Sequence, residues 1–507
     1  MTTIETATET PHDQDLYAAI DLGSNSFHMI IAREVHGQMQ VIDKHKEMVR
    51  LRAGLDTTGK LSKDAFTQGI ACLERFGQLI NNIPRKNVRA VGTNTLRNAK
   101  NSRLFLTQAR KALGHSIQII AGQEEARLIY LGVAHGLPIS EERRLVMDIG
   151  GGSTEYIIGK QFTHDHLTST EMGCVSVTQK FFPKDTISAI NMNRAIAYCR
   201  SVLRPHQAKL KKLGWDTAIG ASGTIKSISQ ILEANQWSDG GITLKGLMKL
   251  KEALVEHGGA KDIPLEGLKD ERRPVLVGGL AALIATFVEL KVSVMHVSAN
   301  ALREGLVFDT LGRLFAEDVR EISVNSMQKW MLVDTQQAEH VAQTALSLYK
   351  QAHNSWQLRS PDYNFKKLLI WAAKLHECGI AISYKRYRHH SAYLISQAEM
   401  AGFDQQEKQM LSAMMLNHRG KFVNEVYEEI DVSSKKLKRL TVLLRLAVRI
   451  HRGRDFENLE PLLFIENETE LHLEFENKWL GEHQLSQMDL EIEAKRLEAA
   501  GFTLSFK

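Results

Sequence analysis

The chain has 507 residues, 43% hydrophobic and 24% charged, with a formal net charge of +5. That composition excludes a disordered or fibrous protein, and the length calls for about three or four domains rather than one core. The longest uncharged apolar run, 275–288, falls short of the ~20 residues of a bilayer span, and four scattered cysteines with no C-x-x-C pair exclude a zinc site or disulfide framework.

Residues 1–15, rich in Thr, Glu and Asp, lack the basic start and apolar stretch of a secretory signal and read as a flexible tail on a cytoplasmic protein. From 16 to 136 the pattern predicts a strand-rich hairpin, a helix over 62–80, a strand at 88–91, a helix over 101–113, a strand at 117–121 and a helix over 124–133. From 137 to 315 it begins again, with a hairpin from 145, a helix over 191–213, a strand at 217–219 and further helices. Strands alternating with helices predict two α/β lobes around a cleft. Between 316 and 458 helical periodicity is nearly continuous (324–332, 337–351, 366–378, 391–398, 405–417 and 435–451), which predicts an all-helical domain. The stretch 459–507 alternates again and reads as a small α/β cap.

The sharpest feature is a repeated hairpin. Asp21-Leu-Gly-Ser-Asn-Ser26 lies between apolar runs, and Asp148-Ile-Gly-Gly-Gly-Ser153 lies between two more. One D-x-G between strands is usually a plain turn. Two suggest duplicated lobes whose turns, with little Cβ in the way, present backbone N–H groups to an anion. A third turn, Gly220-Ala-Ser-Gly-Thr224, ends a strand and starts a helix, so its N–H groups suit a phosphate. Glu124 and Glu125 stand where a strand gives way to a helix, a place acidic residues also favour through the helix dipole. Asp21, Asp148 and Glu155 suit Mg²⁺ at a phosphate site, which takes one or two carboxylates.

Two basic stretches lie in the second half. Residues 432–454 carry eight Lys or Arg and no acid, and 379–397 mixes Lys385, Arg386 and Arg388 with tyrosines and histidines. A single run is usually a solvated helix face, whereas two point to an extended anionic partner.

Asp-Leu-Gly-Ser-Asn-Ser-Phe-His at 21–28, Gly-Thr-Asn-Thr-Leu-Arg at 92–97, Gly-Gln-Glu-Glu-Ala-Arg at 122–127 and Asp-Ile-Gly-Gly-Gly-Ser-Thr-Glu at 148–155 resemble the exopolyphosphatase/guanosine pentaphosphate phosphohydrolase family. Met-Gly-Cys-Val at 172–175, Gly-Ala-Ser-Gly-Thr at 220–224 and Ala-Leu-Arg-Glu-Gly at 301–305 extend the resemblance over nearly the whole chain. It implies two actin/hexokinase-like (ribonuclease H-like) lobes, an all-helical domain similar to metal-dependent HD phosphohydrolases, and the α/β cap. It implies Glu125 as general base, Asp148 and Glu155 as catalytic metal ligands, and Asp21 as a hairpin anchor supporting the cation through water. Ser24, Asn25, Ser26, Gly150, Gly151, Gly152, Ser153, Thr154, Ser222, Gly223 and Thr224 would bind phosphate oxygens, with Arg97 and Arg272 as cationic partners.

The implied cofactor is Mg²⁺, with Mn²⁺ as a substitute and stimulation by a monovalent cation. In the helical domain the HD pair is His376-Glu377 and Val448 stands where an aspartate is usual, so that metal site reads as degenerate and His340, His376 and His390 as structural. Lys385, Arg386, Arg388, Lys435, Lys436, Lys438 and Arg439 are the candidates for guiding a polyanion.

The leading expectation is exopolyphosphatase activity, removing the terminal phosphate of inorganic polyphosphate. The alternative is hydrolysis of pppGpp to ppGpp on the same scaffold, with both activities compatible. A kinase or chaperone shares the fold class, and a non-catalytic polyphosphate- or alarmone-binding regulator is the remaining alternative. No nucleic acid polymer and no integral membrane span is expected; a homodimer and a cytoplasmic location, with peripheral membrane contact, are.

Overall fold

Tyr17-Ala-Ala-Ile20 is buried without a break, the mark of a strand covered on both faces, and it forms the centre of the first sheet. The computed structural model describes residues 16–507 except 36–37, 57, 138–139, 239, 316–317, 399, 401, 431–432, 455–460 and 477–478. The expected tail at 1–15 lies outside the described residues. Contacts divide the chain into two compact units, Met1–Ala316 and Glu317–Lys507.

In the first unit, β1 (Leu16–Leu22) pairs antiparallel with β2 (Phe27–Val35), and β2 with β3 (Gln38–Glu47). On its other side β1 pairs parallel with β4 (Val88–Gly92), which pairs with β5 (Ile117–Ile119). The second sheet repeats this order. β6 (Arg143–Ile149) pairs antiparallel with β7 (Thr154–Lys160), β7 with β8 (Thr163–Thr170), and β6 pairs parallel with β9 (Thr217–Gly220). Beyond β9 lie β10 (Ile242–Thr243), at the edge, and β11 (Val294–Val297), between them. Registers match too: Leu22 faces Phe27 across the turn 23–26, and Ile149 faces Thr154 across the turn 150–153. Asp21 therefore sits opposite His28, and Asp148 opposite Glu155.

Two helices cross between the sheets. Gly122–His135 follows β5 in sequence but packs against β7 and β8, and Leu302–Phe315 follows β11 but packs against β1 and β2. The helices touch through glycines: a Cβ on Gly305 would lie 1.8 Å from the carbonyl oxygen of Leu128, and one on Gly132 2.0 Å from that of Ala301. Beside the crossing, buried Arg127 donates to both carboxylate oxygens of Glu124 at 2.8 Å and to Asp309 at 2.5 Å, and Arg89 also pairs with Asp309. Charges this deep are tolerable because each is paired; removing one partner typically costs about 3–5 kcal/mol. The helix Arg273–Leu290 has the length and apolarity of a membrane span, yet its side chains from 275 to 287 are buried in the lobe's core.

The second unit has helices Val319–Trp330, Thr335–Ala352, Phe365–Leu375, Tyr387–Gln397, Gln405–Asn417 and Ser434–Ile450. The strands β12 (Leu462–Ile465), β13 (Glu470–Glu474) and β14 (Thr503–Phe506), with the helix Gln484–Glu498, share one apolar core with those helices. Arg445 is fully buried and pairs with Glu493, to which Arg449 also donates at 3.0 Å. Two of the candidate guiding cations are corrected here. Arg439 is buried and donates to the carbonyls of Trp356 and Glu468, and Arg388 donates to the carbonyls of Leu416, Arg419 and Lys421. Acid-free sequence is compatible with such a fate, because an arginine can spend its donors on backbone carbonyls. Lys435 pairs with Glu468 and Lys436 donates to the Arg359 carbonyl at 2.7 Å, while Lys385 and Arg386 are exposed.

Candidate functional site

The β1–β2 and β6–β7 turns meet at their tips. A Cβ on Gly151 would lie 2.7 Å from the Cβ of Ser24, so a side chain there would drive the turns apart. The Gly150 N–H donates to the Ser153 carbonyl at 2.9 Å, closing the second turn, and Thr95 donates to Ser24 Oγ at 2.8 Å, fixing the first. A third wall is the N-terminus of the helix Gly223–Ala234. Ser222 caps it, accepting from the Ile225 N–H at 3.2 Å, and Ser222, Gly223 and Thr224 line the cavity at this helix start, where a helix favours an anion.

These walls enclose a cavity of about 240 Å³. Of the residues anticipated from sequence, Ser24, Asn25, Ser26, Glu125, Asp148, Gly150, Gly151, Ser153, Ser222, Gly223, Thr224 and Arg272 line it. Four do not. Glu155 is wholly buried, across the strand pair from Asp148, accepting from Ser169 at 2.8 Å; Thr154 turns inward to the Met172 carbonyl; Gly152 lines a neighbouring cavity; and Arg97 donates to the Ile120 carbonyl at 2.5 Å, 3.8 Å from Glu125. Asp21, expected to anchor its hairpin and support the cation, also lines it, and the lining adds His28, Thr93, Asn94 and Arg303. His28, Thr93, Asn94 and Arg303 stand inside the motifs that carry the family resemblance, but no charge or glycine pattern in the sequence marks them as lining residues.

Glu125 enters from the first turn of Gly122–His135, one residue after Glu124, which faces the buried ion cluster instead. A helix rotates about 100° per residue, so neighbours face different environments. The acids crowd together. Burial raises Asp21 to about 7, opposed by Arg303 and reinforced by Asp148, and burial raises Asp148 to about 7, opposed by Arg303. Glu125 and Glu155 are both raised, first by burial and then by neighbouring carboxylates: Glu155 for Glu125, Asp148 for Glu155. His28 is pushed well below its usual value by burial and then by Arg303, so it is neutral; its ring lies 2.7 Å from Ser26 Oγ.

This donor set fits a divalent cation that arrives with phosphate. Asp21 Oδ1, Glu125 Oε2 and Glu155 Oε2 are buried without a hydrogen-bond partner, in a group of four acids that Arg97 and Arg303 offset only in part. Among the described residues no three His, Cys, Asp or Glu side chains form an ion site by themselves. That suits Mg²⁺, which takes one or two carboxylates and completes its shell with water and phosphate oxygens.

Two like sheets with turns meeting over an acid-rich cavity define a mixed α/β protein of the actin-like class. A model described as the Ppx/GppA phosphatase family matches residues 30–314, and one for domain III of that family matches 319–494. The guanosine-5'-triphosphate,3'-diphosphate pyrophosphatase of Pseudoalteromonas translucida is 38% identical over 491 residues, covering 97% of this chain and 98% of the relative. The protein of the same name from Vibrio vulnificus is 40% identical over 490 residues, covering 96% and 97%. A crystal structure of an exopolyphosphatase from Cytophaga hutchinsonii superposes with a TM-score of 0.54 at 23% identity, covering 59% of this chain and 98% of that one, a likeness of fold. The chain belongs to the Ppx/GppA phosphatase family, and it is a phosphoanhydride hydrolase.

Proposed function

We propose that the chain removes the terminal phosphate of inorganic polyphosphate, and of pppGpp to give ppGpp, at the cavity between its two turns. The observation that carries this reading is Glu125: a buried carboxylate whose Oε2 accepts no hydrogen bond and has, among the described residues, only Arg97, 3.8 Å away, as a counter-charge, in one cavity with the two glycine turns and a helix N-terminus. In it Glu125 takes a proton from water, the water oxygen bonds to the terminal phosphorus, and the bridging P–O bond breaks with its electrons going to the shortened chain. The turn N–H groups hold the terminal phosphate, and Arg272 and Arg303 offset charge on the chain behind it. A Mg²⁺ ion on Asp148, with Glu155 and Asp21 behind it, would neutralise phosphate charge when bound.

Polyphosphate is supported by a described lining with no Phe, Tyr or Trp against which a base could stack. The nucleotide is supported by the printed names of relatives aligned over nearly the whole chain. Orthophosphate release from long-chain polyphosphate and from pppGpp, measured side by side, tests both; release from neither would overturn the hydrolase reading of this cavity.

The helical part of the second unit reads as a degenerate HD-like domain. Glu377, at the position of the usual aspartate, is held by Arg454 through two 2.8 Å bonds, and His376 Nδ1 lies 2.7 Å from the Ala373 carbonyl. A guanidinium takes the carboxylate that a metal would need.

A further inference from the structure

We propose that a second cavity, next to the reaction cavity, binds the orthophosphate that hydrolysis releases; this rests on the hydrolase reading above. The cavity holds about 210 Å³ and touches the second turn at Gly152. Asn94 lines both cavities. Asn94 is 5% exposed, its Oδ1 has no hydrogen-bond partner, and a Cβ on Gly152 would lie 2.2 Å from that oxygen, so its amide packs on the second turn where the cavities adjoin.

The lining chemistry selects a small anion. Arg52 and Lys180 supply two positive charges, with no carboxylate paired to either among the described residues, and Glu171 is the one acid present. The Arg52 N–H donates to the Ser24 carbonyl at 2.8 Å, tying this cation to the first turn. Lys180 lies 3.7 Å from the centroid of the Tyr198 ring, which orients the ammonium without neutralising it and covers a ring face. Asn98 adds a hydrogen-bonding group, while the Ser176 hydroxyl is engaged with the Gly173 backbone, and Asn98 and Lys180 are exposed, so the cavity opens to solvent.

The need for such a site follows from the reaction. The terminal phosphate reacts beside Glu125 while the rest of the substrate extends toward the opening. Orthophosphate is therefore formed behind the shortened chain, and a cationic cavity on the other side of Asn94 receives it.

The test uses the whole protein saturated with imidotriphosphate, a non-hydrolysable occupant of the reaction cavity. Orthophosphate is then titrated in by calorimetry. The wild type is expected to bind it, Arg52→Gln and Lys180→Gln to weaken that binding about tenfold, as losing a charged contact does, and Arg52→Lys and Lys180→Arg to retain it. Affinity for imidotriphosphate should stay within about twofold throughout. No binding to the saturated wild type, or equal binding by both glutamine variants, would overturn the proposal. So would a parallel loss of imidotriphosphate affinity, which assigns the cavity to the substrate chain. Failure of the hydrolase reading is seen separately, as absent turnover of tripolyphosphate and pppGpp by the wild type.

Discussion

Glu125 is buried, yet a base must be charged, so its setting has to be read with its neighbours. Burial and Glu155 raise its pKa, Arg97 lowers it, and a divalent cation on Asp148 would lower it further. Glu125→Gln keeps shape and burial but cannot accept the proton; kcat should fall by about 10³-fold while calorimetric binding of tripolyphosphate persists. Turnover within tenfold of wild type would remove the base assignment. Arg303 is the cation that lowers both Asp21 and Asp148. In Arg303→Gln these carboxylates stay protonated to higher pH, so the acidic limb of kcat/KM should move up by about one pH unit; an unmoved limb would show that neither acid governs activity. Much of this site was legible in the sequence because its turns repeat. What the sequence does not carry is depth: Thr154 and Glu155 sit in the right motif, but Thr154 is turned to the Met172 carbonyl, and Glu155, on the opposite face of the strand, is wholly buried against Ser169 beside the other acids. Arg303's role was hidden for another reason, since its distance from Asp21 is a product of two sheets meeting.

At the level of elements, the hairpin repeat proved to be a whole-sheet repeat, with the same strand order and the same acid-facing register in both copies. Polar edge strands were the hard part to read. β8, Thr163–Thr170, is exposed over its first three residues and so lacks a clean apolar alternation. The exchange of helices between sheets left only faint signs, because glycines at 132 and 305 look alike whether they face solvent or another backbone. In the structure they face backbone. Gly305→Ala would place a methyl 1.8 Å from the Leu128 carbonyl oxygen, so the helices must separate. A loss of about 1–3 kcal/mol, the usual cost of overpacking, is expected in urea unfolding of the first unit. An unchanged midpoint would mean that the crossing has room to spare. Because Glu125 stands on one of these helices, kcat should fall more than tripolyphosphate affinity in the same variant.

Across the molecule, buried ionisable groups pull stability in opposite directions in the two units. In the first, Asp21 and Asp148 titrate near 7 when folded and near 3.8 when unfolded, so folding binds protons between those values. Stability there falls as pH rises through that window. In the second unit, His376 and His418 are wholly buried and lowered from 6.5, each first by burial; Glu377 opposes the shift at His376, and His376, Arg419 and Arg445 reinforce it at His418. Their rings are 5.5 Å apart, the Tyr387 ring lies 5.4 Å from His418, and His418 Nε2 has no hydrogen-bond partner to stabilise an added proton. Here the unfolded chain binds the protons, so stability is present above pH 6.5 and is lost as pH falls below it, by up to about 1.4 kcal/mol per pH unit for each histidine. Four of the six tryptophans lie in this unit, Trp356 and Trp371 in its core, so their emission reports its unfolding. The urea midpoint followed by tryptophan emission should drop between pH 7.5 and 5.5, and His418→Gln, which cannot take up the proton, should remove roughly half of that drop. A variant whose midpoint falls as far as the wild type's would place the pH sensitivity elsewhere in the unit.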